Sequence, residues 1–109
     1  MVDRMPAMKN IFIAISSAGP NRDQSKGTRE QPFWDEHVAF IDQLVAEGFI
    51  MMGGPLVDVR EMPTGALLIV NAEDEKKVRE KLKNDPWFDK GILKLESVTR
   101  WQIFIDARK

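Results

Sequence analysis

The chain has 109 residues, 43% of them hydrophobic and 30% charged, with 16 Lys and Arg against 17 Asp and Glu. That length fits one domain with a real but modest core, and the near-neutral balance excludes the broad basic footprint that dominates nucleic-acid affinity. Three Trp and six Phe exclude a disordered chain, and the absence of cysteine excludes a disulfide framework, a thiolate nucleophile and a Cys-ligated metal.

The first ten residues, MVDRMPAMKN, contain charges and a proline but no apolar run of the secretory kind. The longest apolar runs, 66–70 and 49–52, are far too short to cross a bilayer. The expectation is a cytoplasmic protein with no membrane partner, a core at about 9–106 and a flexible tail at 1–8. Residues 11–15 (IFIAI) read as a β-strand between polar flanks. A polar stretch follows at 16–31, with Arg22, Lys26 and Arg29, long enough to be either a working loop or disordered.

From Pro32 the period changes. Trp34, Val38, Ile41 and Val45 fall at helical spacing, with Pro32 suited to a first turn and Gly48 to the left-handed residue that closes the last. Residues 49–52 are strand-like and run into Gly53-Gly54-Pro55, which predicts a turn, with 56–65 as a hairpin connection. Residues 66–70 (ALLIV) form a continuous apolar strand. Asp74 caps a second helix running to about Asn84, with Val78 and Leu82 as its buried stripe. Asp85-Pro86 ends that helix, because a residue before proline leaves the α region. Residues 92–105 read as a long strand, with Leu93, Leu95, Trp101, Ile103 and Ile105 on one parity.

The order β-α-β-β-α-β closes most economically as an α+β, ferredoxin-like domain, with an antiparallel sheet in spatial order 4-1-3-2. Both helices then cover one face. The consecutive apolar residues of 66–70 call for cover on the other face too, which predicts a homodimer stacked sheet to sheet.

The same topology brings His37, Gly53-Gly54-Pro55, Asp85 and the polar loop to one rim. His37 is the only histidine, and imidazole exchanges protons near neutral pH without help; the plainer alternative is a core histidine bonded to a backbone carbonyl. Asp85 sits, on this reading, at the unfavourable negative end of a helix dipole. Protonated His37 would offset that, and a turn that bonds backbone amides is the alternative. Gly53-Gly54-Pro55 would present N–H donors to an oxyanion or simply provide a tight strand exit. Arg29 would clamp a carboxylate or merely solvate the loop, and Trp34, Trp87 and Trp101 would line an aromatic pocket or pack in the core. Asp35, Glu36 and His37 are consecutive and point apart on a helix, so with one histidine and no cysteine a metal site is not expected.

Two stretches, REQPFWDEHVAFIDQLVAEGFIMMGGPL (29–56) and NDPWFDKGILKLESVTRW (84–101), resemble the YCII-related domain family. The resemblance covers nearly the whole chain beyond the first eight residues. Its signature is an ordered set: a histidine in the first helix, then Gly-Phe, Gly-Gly-Pro and Asp-Pro-Trp. It implies a dimeric α+β barrel of ferredoxin-like protomers. Related members include a dehydrochlorinase-type enzyme, and the wider superfamily contains muconolactone isomerases and haem-degrading monooxygenases. His37 matches the family's histidine and Asp85 its Asp-Pro aspartate.

The expectation is a small-molecule enzyme of lyase, dehalogenase or isomerase type, without a cofactor. His37 is its general acid/base and Asp85 orients and charge-stabilises the imidazole. Arg29 and the Gly53-Gly54-Pro55 turn hold an anionic or enolisable substrate. The alternative is a non-catalytic dimeric module that binds a metabolite. A haem reading has one candidate axial ligand, His37, and nothing else in its favour.

Overall fold

The computed structural model describes residues 10–108; the expected tail at 1–8 lies outside them. Four strands, β1 (Asn10–Ala18), β2 (Ile50–Val57), β3 (Pro63–Ala72) and β4 (Leu93–Arg100), form one sheet in the order β2-β3-β1-β4. Every neighbouring pair is antiparallel. Read from the other edge, this is the expected 4-1-3-2 order of an α+β, ferredoxin-like domain.

Helices α1 (Trp34–Ala46) and α2 (Glu75–Leu82) lie on one face of that sheet. Alternation along the strands puts Phe12 and Ala14 of β1, Val70 and Ala72 of β3 and Val98 of β4 beneath them. Leu44 of α1 and Val78 and Leu82 of α2 complete the core at 2% exposure or less. Each such side chain contributes about 1.5–3 kcal/mol on leaving water. The opposite parity, with Ile13 paired to Ile69 and Ile15 to Leu67, faces away from the helices and is only half-buried. Among the described residues no helix is long and apolar enough to cross a membrane.

The helix signals hold in part. Asp74 accepts from the Lys77 N–H at 2.9 Å, as an N-cap does. Gly48 follows α1 with φ 82°, the left-handed residue expected there. Pro32, by contrast, is not in the first turn: Phe33 adopts φ 65° and breaks the chain between Pro32 and Trp34, where α1 begins.

Three strand assignments need correction. Gly53-Gly54-Pro55 does not turn. It continues β2, paired with Leu68, Leu67 and Ala66, and the hairpin tip is 58–62 rather than 56–65. β2 is an edge strand, where proline forfeits no ladder bond. Gly53 is required for a different reason: a Cβ there would lie 2.7 Å from the Leu67 carbonyl oxygen and 2.6 Å from Leu68 Cδ2. β1 runs past 15 to Ala18, so the polar loop starts later than its composition suggests. β4 stops at Arg100, after a bulge opposite Ile15 and Ser16 shifts its register. Trp101 still donates its N–H to the Ile11 carbonyl at 2.8 Å, but 101–108 then leaves the sheet, with Phe104 and Ile105 89% exposed.

Candidate active site

His37 sits one turn into α1, and its N–H donates to the Phe33 carbonyl at 2.9 Å. After α2 the chain does not simply turn. The Asp85 N–H donates to the Leu82 carbonyl at 2.9 Å and a short helix α3 (Pro86–Asp89) begins at once. Asp85 is therefore an N-cap, with Pro86 in the first turn, and its Oδ1 accepts from the Trp87 N–H at 2.9 Å. The dipole penalty expected at a helix C-terminus does not arise, because the carboxylate faces N–H donors instead.

Asp85 is fully buried, and His37 Nδ1 lies 2.9 Å from its Oδ1 and 2.8 Å from its Oδ2. A buried carboxylate needs such partners. Between the imidazole and the Trp87 amide it has them, and no buried side-chain N or O among the described residues is left unsatisfied. Trp87 itself is 3% exposed and stacks on the His37 ring, with centroids 4.0 Å apart and planes 7° from parallel. Its indole N–H donates to the Pro32 carbonyl at 2.7 Å, which ties α3 to the entry of α1. Trp34 completes the cluster, 5.5 Å from Trp87 and 6.0 Å from His37. Both tryptophans are packing residues and cavity walls at once. With a carboxylate on Nδ1, the neutral imidazole carries its proton there and presents a lone pair at Nε2. Nε2 makes no hydrogen bond within the described residues.

The His37 ring lines a cavity of about 400 Å³ together with Asp85, Trp34, Trp87, Phe88, Arg22, Thr28, Arg29, Gly54 and Pro55. The expected rim is thus largely assembled, with two exceptions. Gly53 does not line the cavity, and the tripeptide lies in a strand, whose successive N–H groups point to opposite sides. Pro55 offers no N–H at all, so the backbone oxyanion cradle expected from a turn is not formed. Lys26 is also absent from the walls and lies 4.0 Å from Asp23 instead. Arg22 was legible only as one of three cations in a polar loop; nothing in the sequence separated it from Lys26.

That loop is held in place. Gln31, 2% exposed, accepts from the Asp23 N–H at 2.9 Å through Oε1, and its Nε2 donates to the carbonyls of Asp23 at 2.8 Å and Lys26 at 3.0 Å. Gly19 N–H reaches the Ile92 carbonyl at 2.8 Å, and Asn21 Nδ2 the Lys90 carbonyl at 2.9 Å.

A second hollow of about 210 Å³ lies between 101–108 and Met51, Met52 and Ile69. Its Asp106 and Arg108 are bonded to each other at 2.9 Å. Among the described residues no three His, Cys, Asp or Glu side chains gather as a metal site would require.

No curated protein matches the sequence. A solved structure resembles it: 5-chloro-2-hydroxyhydroquinone dehydrochlorinase (TftG) from Burkholderia phenoliruptrix AC1100, in complex with 2,5-dihydroxybenzoquinone. The similarity has a TM-score of 0.64 and 28% sequence identity, and covers 84% of this chain and 93% of that one. The sequence pattern of the YCII-related domain matches residues 12–102, which include α1 with His37, the Asp85 cap and all but the first two residues of the sheet. The chain belongs to the YCII-related domain family.

Proposed function

We propose that the protein is a small-molecule enzyme in which His37 Nε2 takes a proton from, or returns one to, an anionic or enolisable substrate while Asp85 holds Nδ1. The observation that carries this reading is the 2.8 Å contact of His37 Nδ1 with a carboxylate that has no solvent exposure, on a ring that lines the cavity. The carboxylate orients the ring and stabilises the imidazolium formed when the proton arrives. No side-chain hydroxyl among the described residues is bonded to the imidazole, so elimination or isomerisation fits better than attack by a serine or threonine. The similarity to a dehydrochlorinase supports the same class and an oxygenated ring as substrate. In loss of hydrogen chloride, a base accepts the proton as chloride leaves with its bonding pair.

The reading includes a homodimer. The half-buried face of Ile13, Ile15, Leu67 and Ile69, beside Met52 at 42% exposure, supports sheet-to-sheet association. A stable pair would bury on the order of 1,200 Å² or more.

Supplying 5-chloro-2-hydroxyhydroquinone and other chlorinated or enolisable ring acids, with chloride release and ultraviolet absorbance as readouts, tests the assignment. Turnover above buffer is expected, falling about 10²–10⁴-fold in a folded His37→Gln variant. Binding of 2,5-dihydroxybenzoquinone with no turnover of any compound would leave a metabolite-binding module in its place, and turnover unchanged by His37→Gln would remove His37 from the chemistry.

A further inference from the structure

We propose that the loop 19–31 is a prebuilt anion-reading element. Arg22 and Arg29, which line the cavity with Thr28, take an ionised carboxylate or equivalent oxygen acid of the ligand at a point separate from His37. The proposal rests on the cavity being a small-molecule site and adds the class of molecule, a compact ring that bears an acid group.

The charges of the cavity wall are the first ground. Its titratable side chains are Arg22, Arg29, His37 and Asp85. The only carboxylate among them is fully buried and already bonded to the imidazole and the Trp87 amide. Arg60, Arg79 and Arg108 pair with Asp58, Glu75 and Asp106, whereas neither Arg22 nor Arg29 forms an ion pair among the described residues. Arg22 Nη2 spends one donor on Thr28 Oγ1 at 3.4 Å. A guanidinium has five donors in a fork that matches a carboxylate, so most of its capacity is unused. The loop's remaining cation, Lys26, lies off the cavity beside Asp23. The cavity is therefore lined by two guanidiniums that no carboxylate among the described residues pairs with.

Preorganisation is the second ground. A loop of this length would ordinarily lose entropy on closing around a ligand. Here the Gln31 amide already bonds the backbone at Asp23 and Lys26, and Gly19 and Asn21 are bonded to the segment 90–92. The loop backbone is in place before any ligand arrives, and Thr28 holds one Arg22 donor with it. A volume of about 400 Å³ with Trp34 and Trp87 on the walls suits a single ring with its substituents.

Benzoate and benzamide share a ring and differ in charge, so titrating each at fixed ionic strength isolates the anion contribution. Arginine side-chain N–H signals and the melting temperature are the readouts. Saturable benzoate binding is expected, at least about tenfold tighter than benzamide, and weakened about tenfold or more in Arg22→Gln and in Arg29→Gln. Lys26→Gln, off the cavity beside Asp23, should bind benzoate within about threefold of the parent chain. Equal binding of the two probes, no saturable benzoate binding, or unchanged affinity in both arginine variants would overturn the proposal. Loss in His37→Gln alone would overturn it too, since the anion would then sit on the imidazole. Failure of every turnover assay with benzoate recognition intact would overturn the enzyme reading and leave the anion site standing.

Discussion

Asp85→Asn tests the pairing with almost no change of shape. The asparagine oxygen replaces Oδ1 and keeps the Trp87 N–H bond, which measures 2.9 Å. Its amide nitrogen then occupies the Oδ2 position, 2.8 Å from His37 Nδ1. Nδ1 also lies 2.9 Å from the Oδ1 position, so the imidazole either keeps its Nδ1 proton on that oxygen beside an opposed N–H donor or moves the proton to Nε2. The lone pair that faces the cavity disappears with that move, and with it the base. In stability, a charge-assisted bond between groups 0% and 14% exposed is replaced by a neutral one. A charged hydrogen bond contributes about 1.5–3 kcal/mol and a neutral one about 1. The expected loss is therefore about 0.5–2 kcal/mol, or roughly 2–16 °C in Tm for a domain of this size. Urea unfolding gives the first quantity. Nitrogen-15 NMR of the imidazole reports the tautomer, with a protonated Nδ1 in the parent chain and, where the proton moves, a protonated Nε2 with bare Nδ1 in the variant. A variant with unchanged stability and unchanged imidazole nitrogen signals would refute the geometry on which the acid/base reading depends.

Gln31→Ala should speed amide exchange at Asp23 and its neighbours while Ile13 and Val70 stay protected; uniform protection would show that the loop does not need this amide. Gly65→Ala places a Cβ 2.1 Å from the Ser16 carbonyl oxygen and should cost about 1–3 kcal/mol in chemical denaturation; a neutral effect would mean that β1 and β3 separate easily there. The Met62 and Arg60 backbone N–H groups hold the Asp58 carboxyl below its ordinary range, so its native pKa is lower than the unfolded one. Its contribution is present above the unfolded value and is lost as pH falls through the native value, so the Arg60 and Met62 amide signals should shift in that acid window and nowhere above it. Ile13→Glu, on the half-buried sheet face, should give a monomer in sedimentation while the parent chain is a dimer; identical masses would remove the sheet-to-sheet assembly.

The sheet order and both main helices were legible because periodicity and caps act locally: Val78 and Leu82 at i and i+4, Asp74 ahead of its helix, Gly48 after the other. His37 and Asp85 were readable as neighbours because topology alone returns both segments to one end of the sheet. What misled was the ambiguity of proline and glycine. Asp85-Pro86 reads as the stop of a helix, yet α2 has already ended at Leu82 and Asp85 caps the next helix, and a sequence shows the stop more plainly than the start. Gly-Gly-Pro carries the chemistry of a turn, yet at an edge the same residues continue a strand, and Gly53 is set by its neighbour Leu67 rather than by its own dihedrals. The alternation from Leu93 to Ile105 is genuine, but a strand lasts only as long as its partner, and the β4 pairing with β1 ends at Phe12–Arg100. The cavity-facing role of Arg22 depends on a glutamine nine residues away, and composition carries no trace of such a contact.

The bonds from Gln31 all go to main-chain groups, at Asp23, Lys26 and Gly27. These bonds are therefore indifferent to the side chains displayed at 22 and 29. Exchanging Arg29 removes no side-chain bond among the described residues and exchanging Arg22 removes only its bond to Thr28, while the imidazole and carboxylate are carried on α1 and at the start of α3. Selection, or a designer, can rewrite what the cavity admits while leaving the proton-transfer pair intact. One small fold then serves many metabolites by mutation of a few positions in a single surface segment.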